Sequence, residues 1–158
     1  MIRNTTKHQK MGWVLFLLYL ALLVYFLFFA ESFGRTDSVR SGYSYNLTPL
    51  KEIKRFWIYR DRLGMRAFLL NIVGNVVGFM PGGFFLPIVS RRSKKWYNTV
   101  LIGAGFSLFV ETVQLVFQVG SFDVDDMILN TAGAGLGYIL YRMVQRARIW
   151  RRHRARKQ

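Results

Sequence analysis

One carboxylate, Glu111, interrupts the apolar run from Trp96 to Phe122, which Lys95 and Asp123 bound on either side. At about 1.5 Å of rise per helical residue, that run is long enough to cross a bilayer core of roughly 30 Å. A charged group at such depth costs roughly 2.5–3.5 kcal/mol even on the mildest insertion scales. It therefore turns toward protein or water, and by default it marks a functional site. The competing reading is structural: a protonated Glu111 hydrogen-bonded across a bundle as glue. Both readings require a membrane fold with a polar interior.

The remaining apolar residues gather in the same way. With 52% hydrophobic content, the chain concentrates them in blocks too long for a soluble core. Four blocks predict helices over residues 11–30, 67–89, 99–119 and 127–141. The first exceeds the apolar stretch of a secretory signal and has no small-residue cleavage site before Glu31, so a retained helix is expected. The expected fold is all-α: a polytopic membrane protein built as a four-helix transmembrane bundle, with a short interfacial helix in the first outer loop. Residues 1–10 form an N-terminal segment and 142–158 a basic tail. Cysteine is absent, so no disulfide framework exists. The net charge of +15 sits at the ends of apolar blocks, where orientation and anionic headgroups account for it and nucleic acid need not be invoked.

Loop charge sets the orientation. Three Lys/Arg residues precede the first helix, four lie between Ser90 and Asn98, and eight follow from Arg142 onward, fifteen on one side. The opposite side has eight, all within residues 31–66. The excess places both termini in the cytoplasm of a multi-pass cell-membrane protein. Within the outer loop, Asn46-Leu47-Thr48-Pro49 reads as a helix start with Thr48 as cap and proline in the first turn. Leu50, Ile53 and Trp57 then recur at i, i+3, i+7 with Lys51, Lys54, Arg55 and Arg60 on the other faces, an amphipathic pattern that suits either the membrane surface or a covering segment packed on the bundle.

The polar residues converge on the outer half. Asn75 lies roughly 12 Å below the start of its helix, and Glu111 at a similar depth from the end of its own. Asn71 and Asn75 share a face at i, i+4; Glu111, Gln114 and Gln118 share one at i, i+3, i+7. Asp123, Asp126, Asn130, Gly133 and Gly137 continue such a stripe on the fourth helix. Lipid exposure of these faces would be costly, so they should face one another. Close approach is expected at Gly74, Gly78 and Gly82, at Gly103 and Ser107, and at Gly133 and Gly137. Pro81-Gly82-Gly83 predicts a bend or break. Asp125 and Asp126 suit the N-terminus of the fourth helix as ordinary caps, whereas Asp123 is harder to explain so.

Glu111, Gln114, Asn75, Asn71, Asp123, Asp126 and Asn130 are accordingly the candidate binding residues. No catalytic constellation is legible: Ser121 has no histidine to activate it, and neither His8 nor His153 lies near the acids. No metal and no cofactor is expected.

These residues together resemble the VanZ-like family. The likeness spans Asn46 to Tyr141 and rests on three ordered pieces. They are Asn46-Leu47-Thr48-Pro49; Asn75 followed by Phe79-x-Pro81-x-Gly83; and Glu111-x-x-Gln114, Gly120, Asp123-x-x-Asp126-x-x-x-Asn130-Thr131-x-Gly133. Many members carry arginine where this chain has Ser121. What the resemblance implies is a Gram-positive membrane protein associated with glycopeptide, notably teicoplanin, resistance. An acid- and amide-lined pocket would then bind an envelope lipid, a lipid-linked cell-wall precursor or the amphiphilic lipoglycopeptide itself. An intramembrane enzyme acting on a lipid-linked substrate and an ion-coupled transporter are the alternatives. Membrane lipids are the expected partners and a homodimer the candidate assembly; nucleic acid is not expected.

Overall fold

A computed structural model describes residues 7–28 and 43–155. The segment before Lys7, the expected end of the first helix at Ala30, the loop that follows to Gly42, and the tail beyond Ala155 lie outside the described residues. Helix α1 spans Lys7–Phe28, strand β1 Tyr45–Asn46 and helix α2 Lys51–Ile58. After a helical turn at Arg60–Leu63 come α3 (Met65–Val89), α4 (Trp96–Val116), strand β2 (Phe122–Asp123) and α5 (Val124–Ala155). Among the described helices, α3 and α4 are long and apolar enough to cross a membrane. The described apolar part of α1, Lys10–Phe26, is shorter.

Three boundaries depart from expectation. Helix α5 does not stop near Tyr141 but runs on through the arginine-rich tail, which is built largely from good helix formers and has no glycine or proline to end it. Helix α4 starts at Trp96 and ends at Val116, before Gln118. Pro81 and Pro87 sit inside a helical stretch that continues from Gly74 to Val89 without a break. A proline removes one backbone donor from its helix. Here Tyr19 of α1 donates its hydroxyl to the Gly78 carbonyl at 2.9 Å, in the turn preceding Pro81. The carbonyl that Pro81 leaves without a helical donor is that of Val77, so the Tyr19 bond to the adjacent Gly78 ties α1 to this turn and does not replace the missing one. The irregularity lies upstream, in a π-helical turn over Leu69–Val73. There the Asn71 side-chain amide donates to the Ala67 carbonyl at 2.9 Å, competing with the backbone ladder.

Helix α5 is the axis of the fold: it packs most extensively along α3 and next against α4, while α1 rests on α3. The α3–α5 contact is backbone against backbone. A Cβ on Gly133 would fall 2.2 Å from the Val76 carbonyl oxygen, and one on Gly137 1.9 Å from that of Met80. A Cβ on Gly83 would fall 1.9 Å from the Ala134 carbonyl oxygen. The stripe Gly74, Gly78 and Gly82 does not make this contact: Gly78 faces Leu23 and Gly82 faces Tyr19, both on α1.

Burial is inverted relative to a soluble domain. The buried set includes Ser93, Thr99, Ser107, Glu111, Gln114 and Asn130, whereas Leu101, Phe109, Val116 and Ile139 are exposed. A helical protein whose outer surface meets hydrocarbon gains nothing by hiding leucine and much by hiding hydrogen-bonding groups.

Candidate functional site

The site is assembled where α4 ends and α5 begins. Glu111 and Gln114, one turn apart, are both buried on α4. The helix then closes with Gln118 in the left-handed region at φ 54°. Its N–H reaches the Leu115 carbonyl at 3.2 Å, and the Val119 N–H reaches that of Gln114 at 3.1 Å. These paired bonds form a Schellman end. They turn the chain back and leave Gln118 exposed, outside the face it was expected to share with Glu111.

The returning chain forms β2, which pairs in parallel with β1 so that Tyr45 lies opposite Phe122 and Asn46 opposite Asp123. This two-residue pairing brings the segment before α2 onto the start of α5. The Asp123 N–H donates to Glu111 Oε2 at 2.9 Å. Asp123 Oδ1 accepts from Asn46 Nδ2 at 3.0 Å and from the Asp125 N–H at 2.8 Å. Since α5 begins at Val124, Asp123 is the residue that caps it, accepting the second free N–H of the helix. The expectation that Asp125 and Asp126 supply this cap is corrected accordingly.

Asp125 serves another helix. Its Oδ1 accepts the Leu50 N–H, and its Oδ2 accepts those of Glu52 at 2.7 Å and Ile53 at 3.1 Å. These are the orphan donors of α2's first turn. Thr48 is not the cap: α2 begins at Lys51, with Leu50 preceding it at φ 64° and making no side-chain cap bond. A branched side chain at positive φ is strained. Asp125, 1% exposed, holds the backbone there.

Asp126 faces the opposite way, toward α3, where Asn75 Nδ2 donates to its Oδ1 at 2.6 Å. One turn deeper, Asn130 Nδ2 donates to Ser107 Oγ of α4 at 2.9 Å, while Asn130 Oδ1 is buried without a partner. Asn71 does not join the cluster; it is exposed and bonded within its own helix. Five of the seven candidate residues thus fall into three hydrogen-bonded sets near the start of α5: Glu111 with Asp123 and Asn46, Asn75 with Asp126, and Asn130 with Ser107. Gln114 is buried one turn from Glu111. Asn46 and Ser107 complete these sets and were not among the candidates. Asn46 heads the Asn-Leu-Thr-Pro motif, and Ser107 lies one turn before Glu111, which were the available signals.

Burial raises the Asp123 carboxyl above its ordinary range, against the Asp125 N–H and Asn46 amide that favour its charged form. The neighbouring Asp125 carboxylate adds to the rise, and Arg55 opposes it. Among the described residues, no group of three or more His, Cys, Asp or Glu side chains is arranged to hold a metal ion. The chemistry available is hydrogen bonding and charge: buried carboxylates and amides near the start of α5, with the first turn of α2 held on Asp125.

The fold and site define an α-helical protein with membrane-length helices and a buried acid–amide cluster bonded to β1 and to the first turn of α2. Residues 16–145 match the VanZ/LLP1 family, and the chain belongs to that family. A curated relative, Protein VanZ of Enterococcus faecium, is 27% identical over 132 residues, covering 78% of this chain and 69% of the relative. No solved structure matches.

Proposed function

We propose that this chain is a multi-pass cell-membrane protein, both termini cytoplasmic, that lowers glycopeptide susceptibility without catalysis. In this reading the acid–amide cluster binds the polar part of an envelope lipid, a lipid-linked wall precursor or an amphiphilic glycopeptide at the outer leaflet. The observation that supports it is the gathering of Glu111, Asp123, Asp126 and Asn75 around the start of α5, with Glu111 and Asp123 buried. Hydrogen-bonding groups in such surroundings are retained at a cost, and ligand recognition is one reason to retain them. The test is resistance in a susceptible Gram-positive host expressing the parent chain, Glu111→Gln or Asp126→Asn. Both variants should reach the membrane at parental levels and lose protection against teicoplanin. Parental protection in both would overturn the reading.

A second reading has its own support. Asp125 and Asp123 spend their acceptors on α2, β1 and α5, so the cluster also acts as a clamp on the outer segment. Under the clamp reading alone, Asp126→Asn preserves protection and Asp125→Ala removes it together with stability.

A further inference from the structure

The outward side of α2 is used neither by the acid–amide cluster nor by the helix packing. Phe56 is its one buried residue, with Glu52 and Ile53 half-buried beside it. The opposite side presents Lys51, Lys54, Arg55 and Ile58 at i, i+3, i+4, i+7, a continuous exposed stripe along the helix. Ile58 is 65% exposed between these cations, and Trp57 is 61% exposed at the edge of the stripe. The Arg60 guanidinium lies 5.6 Å from the Trp57 ring centroid, which keeps cation and indole together. Tyr43, Tyr45 and Tyr59 are exposed in the flanking segments. Lysine and arginine interleaved with tryptophan and tyrosine is the composition of a surface that sits at the headgroup level of a bilayer.

Two further observations narrow the partner. Residues 51–66 contain six Lys/Arg against Glu52 and Asp61. That leaves this segment net positive by four, a charge complementary to an anionic partner. The membrane setting rests on the function proposed above; the chemistry of the partner does not. Secondly, the anion-binding end of α2 is taken: Asp125 accepts its first free N–H groups, so an incoming anion meets side chains and not the helix N-terminus. Arg55 is shared with Glu52 at 2.7 Å, which leaves Lys51 and Lys54 as the principal cations of the stripe.

We infer that the Lys51–Lys54–Arg55–Ile58 face of α2 docks onto the phosphodiester headgroups of anionic membrane lipids, with Trp57 at the headgroup boundary. Asp125 fixes the helix so that this face points away from the bundle. Lys51 and Lys54 meet the phosphates, and Ile58 and Trp57 enter the boundary between headgroups and acyl chains.

The experiment uses the full chain in nanodiscs, with Trp13, Trp96 and Trp150 changed to Phe so that Trp57 alone reports. Quenching by dibrominated phosphatidylglycerol, against dibrominated phosphatidylcholine at equal mole fraction, gives the relative affinity of the Trp57 environment for the anionic lipid. The expected ratio exceeds one and falls as salt screens the charges. Lys51→Gln with Lys54→Gln should lower it roughly thirtyfold or to parity, the equivalent of about 2 kcal/mol for two cations near an anionic surface. Arg148→Gln with Arg152→Gln, distant on the tail, should leave it unchanged. Circular dichroism and size-exclusion profiles of the variants identify any that fail to fold. A ratio of one in the parent, or a ratio unchanged by loss of both lysines in a folded variant, would overturn the inference.

Discussion

Asp125, in the first turn of α5, accepts the backbone N–H of Glu52 at 2.7 Å across 73 residues of sequence. One side chain therefore closes the first turn of α2 and ties that helix to the start of α5. Glu111, Asp123 and Asn46 reinforce the tie through a second route, since Asp123 donates to Glu111 and accepts from Asn46. The segment before α2 is held by the carboxylates of Asp123 in β2 and Asp125 in α5; it contributes the Asn46 amide, the Ser44 carbonyl that accepts the Phe122 N–H at 3.0 Å, and the first backbone donors of α2.

Replacing Asp125 by alanine should therefore act on α2. Three backbone donors lose their acceptor, and the loss of an N-cap alone costs about 1 kcal/mol, so a total of about 2 kcal/mol or more is expected. Hydrogen exchange over residues 50–58 should accelerate well beyond any change in α4. Equal protection in variant and parent would contradict the capping geometry.

The glycine contacts give a paired test. Gly137→Ala forces a methyl group into the Met80 carbonyl, so it should cost about 1–3 kcal/mol or prevent folding. Gly105→Ala meets nothing within 4 Å and should be neutral or stabilising by about 0.5–1 kcal/mol through helix propensity. Thermal unfolding in detergent distinguishes them, and equal sensitivity at the two sites would show that α3 and α5 are not packed as described.

Asn75 and Asn71 share a helix face yet should respond differently. Asn75→Leu removes the amide that donates to Asp126 and should cost about 1–2 kcal/mol. Asn71→Leu removes an exposed amide whose bond is internal to its helix, so stability should hold or rise. Resistance to SDS-induced unfolding reads both, and a larger loss at Asn71 would place the cluster elsewhere.

Asp123 supplies a pH dependence whose sign is opposite to the usual carboxylate case. Its folded-state carboxyl titrates above the ordinary value, so the folded protein binds more protons than the unfolded chain across that interval. Its contribution is fully present at pH below the unfolded-state value and is lost as pH rises through the raised one. Asp123→Asn keeps an acceptor for Asn46 and for the Asp125 N–H, and should flatten this part of the stability profile. A variant profile parallel to the parent's would exclude Asp123 as the source.

Much of the site was legible because it depends on charge placed where charge is expensive. Glu111 stands alone in an uncharged run, and Asp126 and Asn130 follow one another at helical spacing. Asn75 was found by the same logic. Asn71, one turn away, was not separable from it by periodicity, because the two occupy the same face and only the π-helical turn and local bonding exclude the first. Gln118 failed for a related reason. The helix ends at Val116, three residues before the expected Val119, since the Schellman turn is set by backbone bonds around Gln118 at positive φ and not by the apolar pattern.

What the sequence determined by itself is the solvent each segment can tolerate. Twenty or so uncharged residues in a row dictate helix and an apolar setting, and isolated acids and amides within them dictate a shielded polar cluster. Which acid holds which backbone was decided by tertiary structure. Asp123 and Asp125 are chemically alike and two residues apart, but the strand pairing at Asn46 and Asp123 aims one carboxylate at the start of α5 and the other at the start of α2. That assignment depends on hydrogen bonds between residues more than 70 positions apart, which helical spacing does not encode.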